Sequence, residues 1–181
     1  MQRQRAMNRP ALARWIASLI MLVVVAVFGR GYGPNPGAPS ARGPLPDQIS
    51  GAGRPIDGDS LHVGQNEVRL KGIDAPEGRQ TCLRNGSVWA CGEDSRRELD
   101  RLIGHDVVKC SVLERDRFSR FLSRCTAGGR DLNAGMVAAG LAVAYGGYVR
   151  EEGEAKIRKR GLWGSDFQRP REWRDEHHAG G

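Results

Sequence analysis

The side chains best suited to chemistry in this 181-residue chain are three acids and two arginines. Asp59 and Asp74 carry carboxylates that can hold a hard cation, and the carboxylate of Glu77 can activate water. Arg69 and Arg120 carry guanidinium groups, which bind phosphate oxygens in pairs and stay charged. Hydrolysis of a phosphodiester builds negative charge on the phosphate, and a cation with well-placed donors stabilises that charge. The five residues predict this chemistry if the fold brings them together.

The residue types also indicate which cation such a site would take. Calcium binds oxygen ligands only, so two aspartates, a backbone carbonyl and several waters suit it. Neither His nor Cys stands among these residues, which argues against zinc. Pro76 fixes its own φ and favours an extended Ala75, so Glu77 lies on a stiffened loop just beyond Asp74. A general base at Glu77 would typically contribute about 10²–10⁴-fold to the rate.

A predicted hairpin brings the two aspartates to the same end of a pair of strands. Residues 60–63 and 67–70 alternate between polar and apolar side chains, and the Gly-Gln-Asn sequence at 64–66 is typical of a turn. Asp59 stands at the start of the first strand, and Asp74 lies just past the end of the second. Antiparallel pairing would therefore place their side chains near each other.

Six short segments resemble the thermonuclease family, typified by staphylococcal nuclease, and they occur in that family's order. The resemblance runs from about residue 54 to residue 174. Each segment alone is common, whereas six in the same order are specific. The segments are residues 57–60 (DGDS), 68–70 (VRL), 72–77 (GIDAPE), 115–120 (RDRFSR), 140–142 (GLA) and 160–163 (RGLW).

The resemblance implies an α+β protein, an OB-fold five-stranded β-barrel with three helices. It also implies calcium-dependent cleavage of phosphodiester bonds in DNA, RNA or both. By position, Asp59 and Asp74 match the family's calcium carboxylates, and Ala75 matches a position that contributes a backbone carbonyl. The positions that match the family's catalytic residues are Arg69, Glu77 and Arg120.

Three positions depart from the family's usual pattern. Ser60 replaces a Thr and keeps the hydroxyl, whereas Phe118 replaces a Tyr and keeps a stacking face without the phenolic donor. Ser119 replaces a Gly in a turn that favours positive φ, so strain there could misplace Arg120. Arg117 and Phe118 are nevertheless predicted to contact the substrate.

Several of these residues also allow a simpler structural interpretation. Tyr145 and Tyr148 follow the second predicted helix, where the family lines its nucleotide pocket with aromatic rings, and both substrate contact and core packing remain open for them. Residues 57–59 alone would be an ordinary turn, and residues 115–124 alone would be a solvated hairpin. Their occurrence together and in order favours the catalytic interpretation.

The N-terminus predicts an export segment. Four arginines precede an uncharged apolar run at residues 15–28, which retains the start of the chain in the cytoplasm and sends the rest across the membrane. Residues 1–29 are predicted to be a signal peptide or, preferably, a single-pass membrane anchor, which places the protein in the cell envelope with a periplasmic or extracellular catalytic part. A Gly/Pro-rich flexible linker over 30–52, a nuclease domain over 53–174 and a disordered tail over 175–181 complete the predicted organisation.

Cysteine usage agrees with export to an oxidising compartment. The four cysteines lack the close pair spacing of a zinc site, which favours two disulfides over four buried thiols. Cys110 and Cys125 are equidistant from the centre of a predicted hairpin and should face each other. That pairing leaves Cys82 with Cys91, which would close the loop that follows Glu77.

The remaining sequence predicts three helices and an aromatic tail. The helices are placed at residues 92–104, 131–140 and 150–160, the first two from apolar spacing and boundary residues. The tail residues expected to pack back onto the barrel are Leu162, Trp163, Phe167 and Trp173.

The charge balance gives little support for nucleic-acid binding by itself. The net charge is +7, but residues 1–50 hold six arginines and one aspartate, so residues 51–181 hold 22 basic and 20 acidic residues. Affinity for DNA or RNA must therefore come from a local cluster of arginines. Two other functions remain open, a non-catalytic OB-fold module that binds nucleic acid and an envelope domain that binds a protein. No protein partner is implied, and a monomer is expected.

Overall fold

The structure, a computed structural model, describes residues 43–178. Strands dominate the first two thirds of this range, and helices dominate the last third. The strands are β1 (Gln48–Pro55), β2 (Ser60–Val63), β3 (Asn66–Leu70), β4 (Ile73–Asp74), β5 (Cys82–Arg84), β6 (Ser87–Trp89), β7 (Val107–Arg115), β8 (Phe121–Ala127), β9 (Arg130–Asp131) and β10 (Val143–Ala144). The helices are α1 (Cys91–Ile103), α2 (Leu132–Ala138), α3 (Val149–Ile157) and α4 (Pro170–His178).

Five strands close into the predicted barrel. They pair in the order β3-β2-β1-β7-β8, and a parallel pairing between β3 and β8 joins the two ends. The short β9 extends the sheet beyond β8. Closure leaves no free edge between β3 and β8, which is how barrels avoid exposed hydrogen-bonding groups. The α+β class and the five-stranded OB-type barrel are confirmed.

The hairpin of β2 and β3 follows from the alternation of apolar residues. Leu61, Val63, Val68 and Leu70 are fully buried and face the core, as a period of two requires. Gly64 adopts φ +60° in the turn, as the sequence predicts. The register pairs Ser60 with Arg69, so the arginine lies across from the residue that follows Asp59.

Helices α1, α2 and α3 pack close to their predicted positions. Leu99 and Ile103 of α1 lie in the core, and the side chain of Asp131 caps α2 by accepting a hydrogen bond from the backbone N of Ala134 at 2.9 Å. Helix α3 is mostly exposed and buries Ala155. The three predicted helices are confirmed, with ends that differ by a few residues.

The predicted linker is wrong at its C-terminal end, because β1 begins at Gln48 and pairs with both β2 and β7. Ile49 is buried in the core. The glycines of β1 are sites of close packing. A Cβ on Gly53, for example, would lie 2.5 Å from Cγ2 of Val108. Residues 1–29, the predicted export segment, and 30–42 of the linker lie outside the described residues. Within residues 43–178, no helix has the length and hydrophobicity needed to cross a bilayer.

The predicted disordered tail is wrong up to His178, because α4 continues through it. Pro170 is buried at the first position of α4, where its missing N–H costs no hydrogen bond. Leu162 is buried in a small cluster with Cys82, Cys91 and Val143, and Trp163 and Phe167 pack against this cluster with 5.3 Å between their ring centroids. The tail therefore packs as predicted, but on this cluster and not on the main core of the barrel. Trp173 instead stacks on His177 within α4, with 3.9 Å between centroids.

Both predicted disulfides are present. Cys110 and Cys125 face each other across the β7–β8 pair. Cys82 and Cys91 join the start of β5 to the start of α1, so this bridge closes the small β5–β6 hairpin that follows the loop of Glu77. The Cys82–Cys91 bridge therefore lies near the predicted catalytic residue Glu77.

Candidate active site

The turn before β2 places Asp59 at the mouth of the barrel. The Oδ1 atom of Asp57 accepts hydrogen bonds from the backbone N of Asp59 at 2.9 Å and from that of Ser60 at 2.7 Å. Gly58 is required between them, because a Cβ there would lie 1.8 Å from the Oγ of Ser95. The predicted turn is therefore real, and it serves to direct Asp59 inward.

Asp59 is almost fully buried and surrounded by donors. Its Oδ1 accepts from the Ser60 hydroxyl at 3.0 Å, and its Oδ2 accepts from the backbone N of Ala75 at 3.0 Å and from Arg69 at 2.8 Å. Burial raises the pKa of Asp59 to about 7, although Arg69 acts in the opposite direction. Desolvation of the buried carboxylate therefore outweighs the attraction of Arg69.

Arg69 links the two aspartates. Its Nη2 donates to Oδ2 of Asp59 at 2.8 Å and to Oδ1 of Asp74 at 3.0 Å. Asp74 is held in place by β4, which pairs with β10 through Val143. Both carboxylates thus face a single point, and in this structure a guanidinium nitrogen lies at that point.

Glu77 lies on a loop that three neighbours support. The side chain of Gln80, which is buried, accepts from the backbone N of Glu77 at 3.2 Å, and the backbone N of Gln80 donates to the Glu77 carbonyl at 2.8 Å. Helix α1 approaches the loop so closely that a Cβ on Gly92 would lie 1.8 Å from the Glu77 carbonyl oxygen. The disulfide of Cys82 and Cys91 joins the residues that flank this contact. The loop is therefore held in one shape.

Arg120 is positioned by Asp116, four residues before it. The two carboxylate oxygens of Asp116 accept from the backbone N of Arg120 at 2.9 Å and from its Nε at 2.8 Å. Ser119 adopts φ 69°, the left-handed conformation that the sequence predicts for this turn. The turn nevertheless delivers Arg120 to the same cleft as the other site residues.

One cleft of about 780 Å³ gathers the three predicted catalytic residues. The two predicted substrate contacts of the β7–β8 turn also line it, and Phe118 has 64% of its surface exposed. The lining residues are Asp57, Glu67, Arg69, Glu77, Arg117, Phe118, Arg120, Arg174 and Asp175. Asp59 lies behind this lining, in contact with Arg69. The predicted site residues around Arg69 are therefore neighbours in space.

The two tyrosines lie elsewhere. Tyr145 and Tyr148 line a second depression of about 340 Å³ with Lys71, Arg124 and Asp131. Tyr145 is exposed, so its ring is available to a ligand. Tyr148 is partly buried against the core and precedes α3 with φ 60°. Both rings line the depression, so the predicted substrate contacts stay predictions for both tyrosines.

Arg174 is a further residue of the site that was not predicted from the sequence. Its Nη2 lies 2.8 Å from Oδ1 of Asp74, and its Nη1 lies 2.8 Å from Oε1 of Glu77. No local pattern marks this residue, because it lies on a highly charged helix far along the chain. Two supporting residues, Gln80 and Asp116, were also missed; the spacing of four between Asp116 and Arg120 is the signal that could have found the second.

The donor set around Arg69 fits a hard cation. One carboxylate oxygen of Asp59 and one of Asp74 converge on the same guanidinium nitrogen. Within residues 43–178, no three His, Cys, Asp or Glu side chains are close enough to hold a metal by themselves. A cation would therefore need two carboxylates, water and a backbone oxygen such as the predicted Ala75 carbonyl, which is a set that calcium accepts.

Comparisons with known proteins agree with this geometry. A family model described as staphylococcal nuclease homologue matches residues 67–165, more than half of the 181-residue chain. The succinoglycan biosynthesis protein ExoI of Rhizobium meliloti (strain 1021) is 33% identical over 125 residues, which cover 65% of this chain and 65% of that protein. A probable staphylococcal-like nuclease of Oryza sativa subsp. japonica, CAN3, is 31% identical over 67% of this chain and 32% of its own length.

A third relative comes from a fungus. The probable endonuclease LCL3 of Verticillium alfalfae is 31% identical over 60% of this chain and 43% of its own length. The chain spans less than two thirds of the length of each of these relatives. The matched region includes most of the barrel and the residues Arg69, Asp74, Glu77 and Arg120. This chain therefore belongs to the staphylococcal nuclease homologue family.

Proposed function

We propose that this protein is a calcium-dependent nuclease that hydrolyses phosphodiester bonds of DNA, RNA or both. The observation that carries the proposal is the single cleft lined by Arg69, Glu77 and Arg120. Asp59 and Asp74 contact this lining through Arg69. Names of relatives that include nuclease and endonuclease support the same chemistry. Two guanidinium groups, a general base and a carboxylate pair in one cleft are what phosphodiester hydrolysis requires.

Each residue of the cleft has a different proposed chemical role. Glu77, with 26% of its side chain exposed, can accept a proton from an attacking water or orient it. Arg69 and Arg120 can donate paired hydrogen bonds to phosphate oxygens, and these bonds strengthen as charge builds in the transition state. Calcium held by Asp59 and Asp74 would supply further positive charge to the phosphate. For Arg69 to bind phosphate, it must exchange its carboxylate partners for the substrate.

Substrate contacts are proposed at the rim of the cleft. Phe118 presents an exposed aromatic face, and the guanidinium of Arg117 lies 4.7 Å from its centroid. An aromatic face accepts any base by stacking, which suits a single strand without sequence preference. Because residues 51–181 are nearly neutral, we expect modest affinity that weakens steeply with salt.

Export to the cell envelope is part of the proposal. The arginine-flanked apolar run near the N-terminus and the two disulfides both support it. Intact-mass measurement of protein from the envelope fraction tests it. A mass that matches the full chain supports the anchor, and a mass lower by the leader supports a signal peptide.

One assay separates this function from the two alternatives. Purified full chain is incubated with single-stranded DNA or RNA, with calcium or with a chelator, and products and binding are both measured. Cleavage that depends on calcium supports the nuclease. Binding without products supports a non-catalytic module, and neither activity supports a domain that binds a protein.

A further inference from the structure

The ion pairs of Arg174 connect the C-terminal helix to two predicted site residues. Its two terminal nitrogens contact different acids, Asp74 and Glu77, each at 2.8 Å. Asp74 offers the same oxygen, Oδ1, to both Arg69 and Arg174. With 26% of its side chain exposed, Arg174 is largely enclosed by the cleft. One side chain of α4 therefore joins the proposed cation ligand to the proposed general base.

These contacts place a positive charge where the proposed chemistry needs other partners. A carboxylate oxygen that is paired with two guanidinium groups has little capacity left to coordinate a cation. A general base must present its oxygen to water, and Oε1 of Glu77 is instead paired with Arg174. The positive charge of Arg174 would also repel a cation bound by the same acids. Each of these effects opposes calcium binding.

We propose that Arg174 is a built-in counter-cation that competes with calcium for the site, so that calcium binding requires Arg174 to leave Asp74 and Glu77. The proposal rests on the proposed function, because it concerns the cation that this function uses. It assigns to α4 the role of setting the calcium affinity of the cleft. Arg174 thereby neutralises Asp74 and Glu77 before calcium binds, and calcium replaces it at these acids.

The attachments of α4 are consistent with release at one end. Pro170 is buried, and the carbonyl of Gln168 just before it accepts a hydrogen bond from the side chain of Gln80 at 2.7 Å. Beyond this anchor, most α4 side chains are exposed, and the contacts of Arg171 with Asp175 stay within the helix. Among the described residues, Arg174 makes the ion pairs that tie α4 to the cleft. Breaking them can free the end of the helix while its start stays anchored.

The first test measures calcium affinity by isothermal titration calorimetry on the full chain. Arg174→Gln removes the competing charge, and Arg171→Gln removes the same charge from the exposed side of the same helix. We expect Arg174→Gln to bind calcium on the order of tenfold tighter than wild type, and Arg171→Gln to bind within about twofold of it. Arg174→Lys keeps the charge but cannot bridge both acids, so its affinity should fall between these values. Equal or weaker binding by Arg174→Gln than by Arg171→Gln overturns the proposal.

The second test follows α4 by hydrogen exchange of its backbone amides, without an activity assay. In wild type, calcium should accelerate exchange in α4, since it displaces Arg174. In Arg174→Gln, exchange should already be fast without calcium, and in Arg171→Gln it should resemble wild type. Exchange in α4 that is unaffected by calcium and by Arg174→Gln contradicts the proposal.

The outcomes also separate this inference from the proposed function. Tighter calcium binding by Arg174→Gln in a protein that cleaves no nucleic acid supports the inference and removes the nuclease. Calcium-dependent cleavage with unchanged affinity in Arg174→Gln supports the nuclease and removes the inference. Failure of every variant to bind calcium removes the inference, since no cation then competes with Arg174.

Discussion

Asp116 holds Arg120 at two points, through its backbone N at 2.9 Å and its Nε at 2.8 Å. Partial burial opposes ionisation, yet the hydrogen bonds and charge of Arg120 lower the pKa of Asp116. The acid is therefore charged at neutral pH and fixes the orientation of the guanidinium plane. The motif at 115–120 predicted roles for Arg117, Phe118 and Arg120, but none for Asp116.

Loss of this support should slow catalysis more than it weakens binding. We expect Asp116→Ala to lower kcat about 10- to 100-fold, because a small displacement of a phosphate-binding group is costly in the transition state. Steady-state kinetics on single-stranded DNA measures it. Asp106→Asn, which removes an exposed acid paired with Arg130 away from the cleft, is the control and should retain full activity. Equal rates for Asp116→Ala and wild type would show that Asp116 does not position Arg120.

Ser119 carries a strain that glycine would relieve. Its φ of 69° lies in the left-handed region, which costs a non-glycine residue about 1–2 kcal/mol. Glycine adds about 0.4–1 kcal/mol of unfolded-state entropy, so the net gain for Ser119→Gly is roughly 0.5–1 kcal/mol. Urea unfolding measures it, with Ser119→Ala as the control that keeps the strain. A loss of stability in Ser119→Gly would contradict this account of the turn.

Gly92 allows α1 to approach the loop of Glu77. A Cβ at residue 92 would lie 1.8 Å from the Glu77 carbonyl oxygen, so Gly92→Ala must move the loop or the helix. We expect a loss of about 1–3 kcal/mol in stability and at least tenfold in kcat. Gly153→Ala is the matched control: nothing lies within 4 Å of its Cβ position in α3, and alanine there should stabilise by about 0.8–1 kcal/mol.

The two disulfides should differ in their effect on activity. Removal of either bridge should cost about 2–4 kcal/mol in the free energy of unfolding. Replacing Cys82 and Cys91 by Ala should also lower kcat, because that bridge flanks the loop of Glu77. Replacing Cys110 and Cys125 by Ala should leave kcat within about twofold of the wild-type value, as long as the assay temperature is below the unfolding temperature. Activity assays and melting curves together make this comparison. Identical kcat losses in the two double variants would exclude a specific role for the first bridge.

Asp59 should make the metal-free protein less stable as pH rises. Burial raises its folded-state pKa to about 7 from an ordinary value of 3.8, so the folded chain binds more protons than the unfolded chain between these values. Stability from this group is therefore present at low pH and is lost as pH rises through about 7. Asp59→Asn lacks this loss, so its stability relative to wild type, measured in chelator, should improve between pH 5 and pH 8. A constant difference would contradict the raised pKa.

The parts of the fold that depend on local pattern were predictable from the sequence. The alternation of residues 60–63 and 67–70 predicted that Asp59 and Asp74 lie at the same end of a hairpin, where both contact Arg69. The spacing of Cys110 and Cys125 identified a cross-strand pair. Positive φ at Ser119 followed from turn chemistry. Each of these features is decided by neighbours within about twenty residues.

The parts that depend on distant contacts were not predictable. Arg174 meets Asp74 across a hundred residues of chain, and its helix has no apolar stripe to announce that it packs. Gly51 of β1 indicated a linker by composition, whereas its missing side chain lets the strand lie against Gly64, whose backbone N would be 3.0 Å from a Cβ at residue 51. The composition of a segment therefore does not show whether its glycines are in a linker or in a packed strand.

In the proposed nuclease, Glu77 acts on water in a cleft that Arg69 and Arg120 share. The most direct test of this role is the single-turnover rate of single-stranded DNA cleavage by the full chain with saturating calcium, in wild type, Glu77→Gln and the exposed α4 variant Glu176→Gln. We predict a loss of about 10²–10⁴-fold for Glu77→Gln, with an unchanged circular dichroism spectrum, and a rate close to wild type for Glu176→Gln. Cleavage by Glu77→Gln at the wild-type rate would contradict the account.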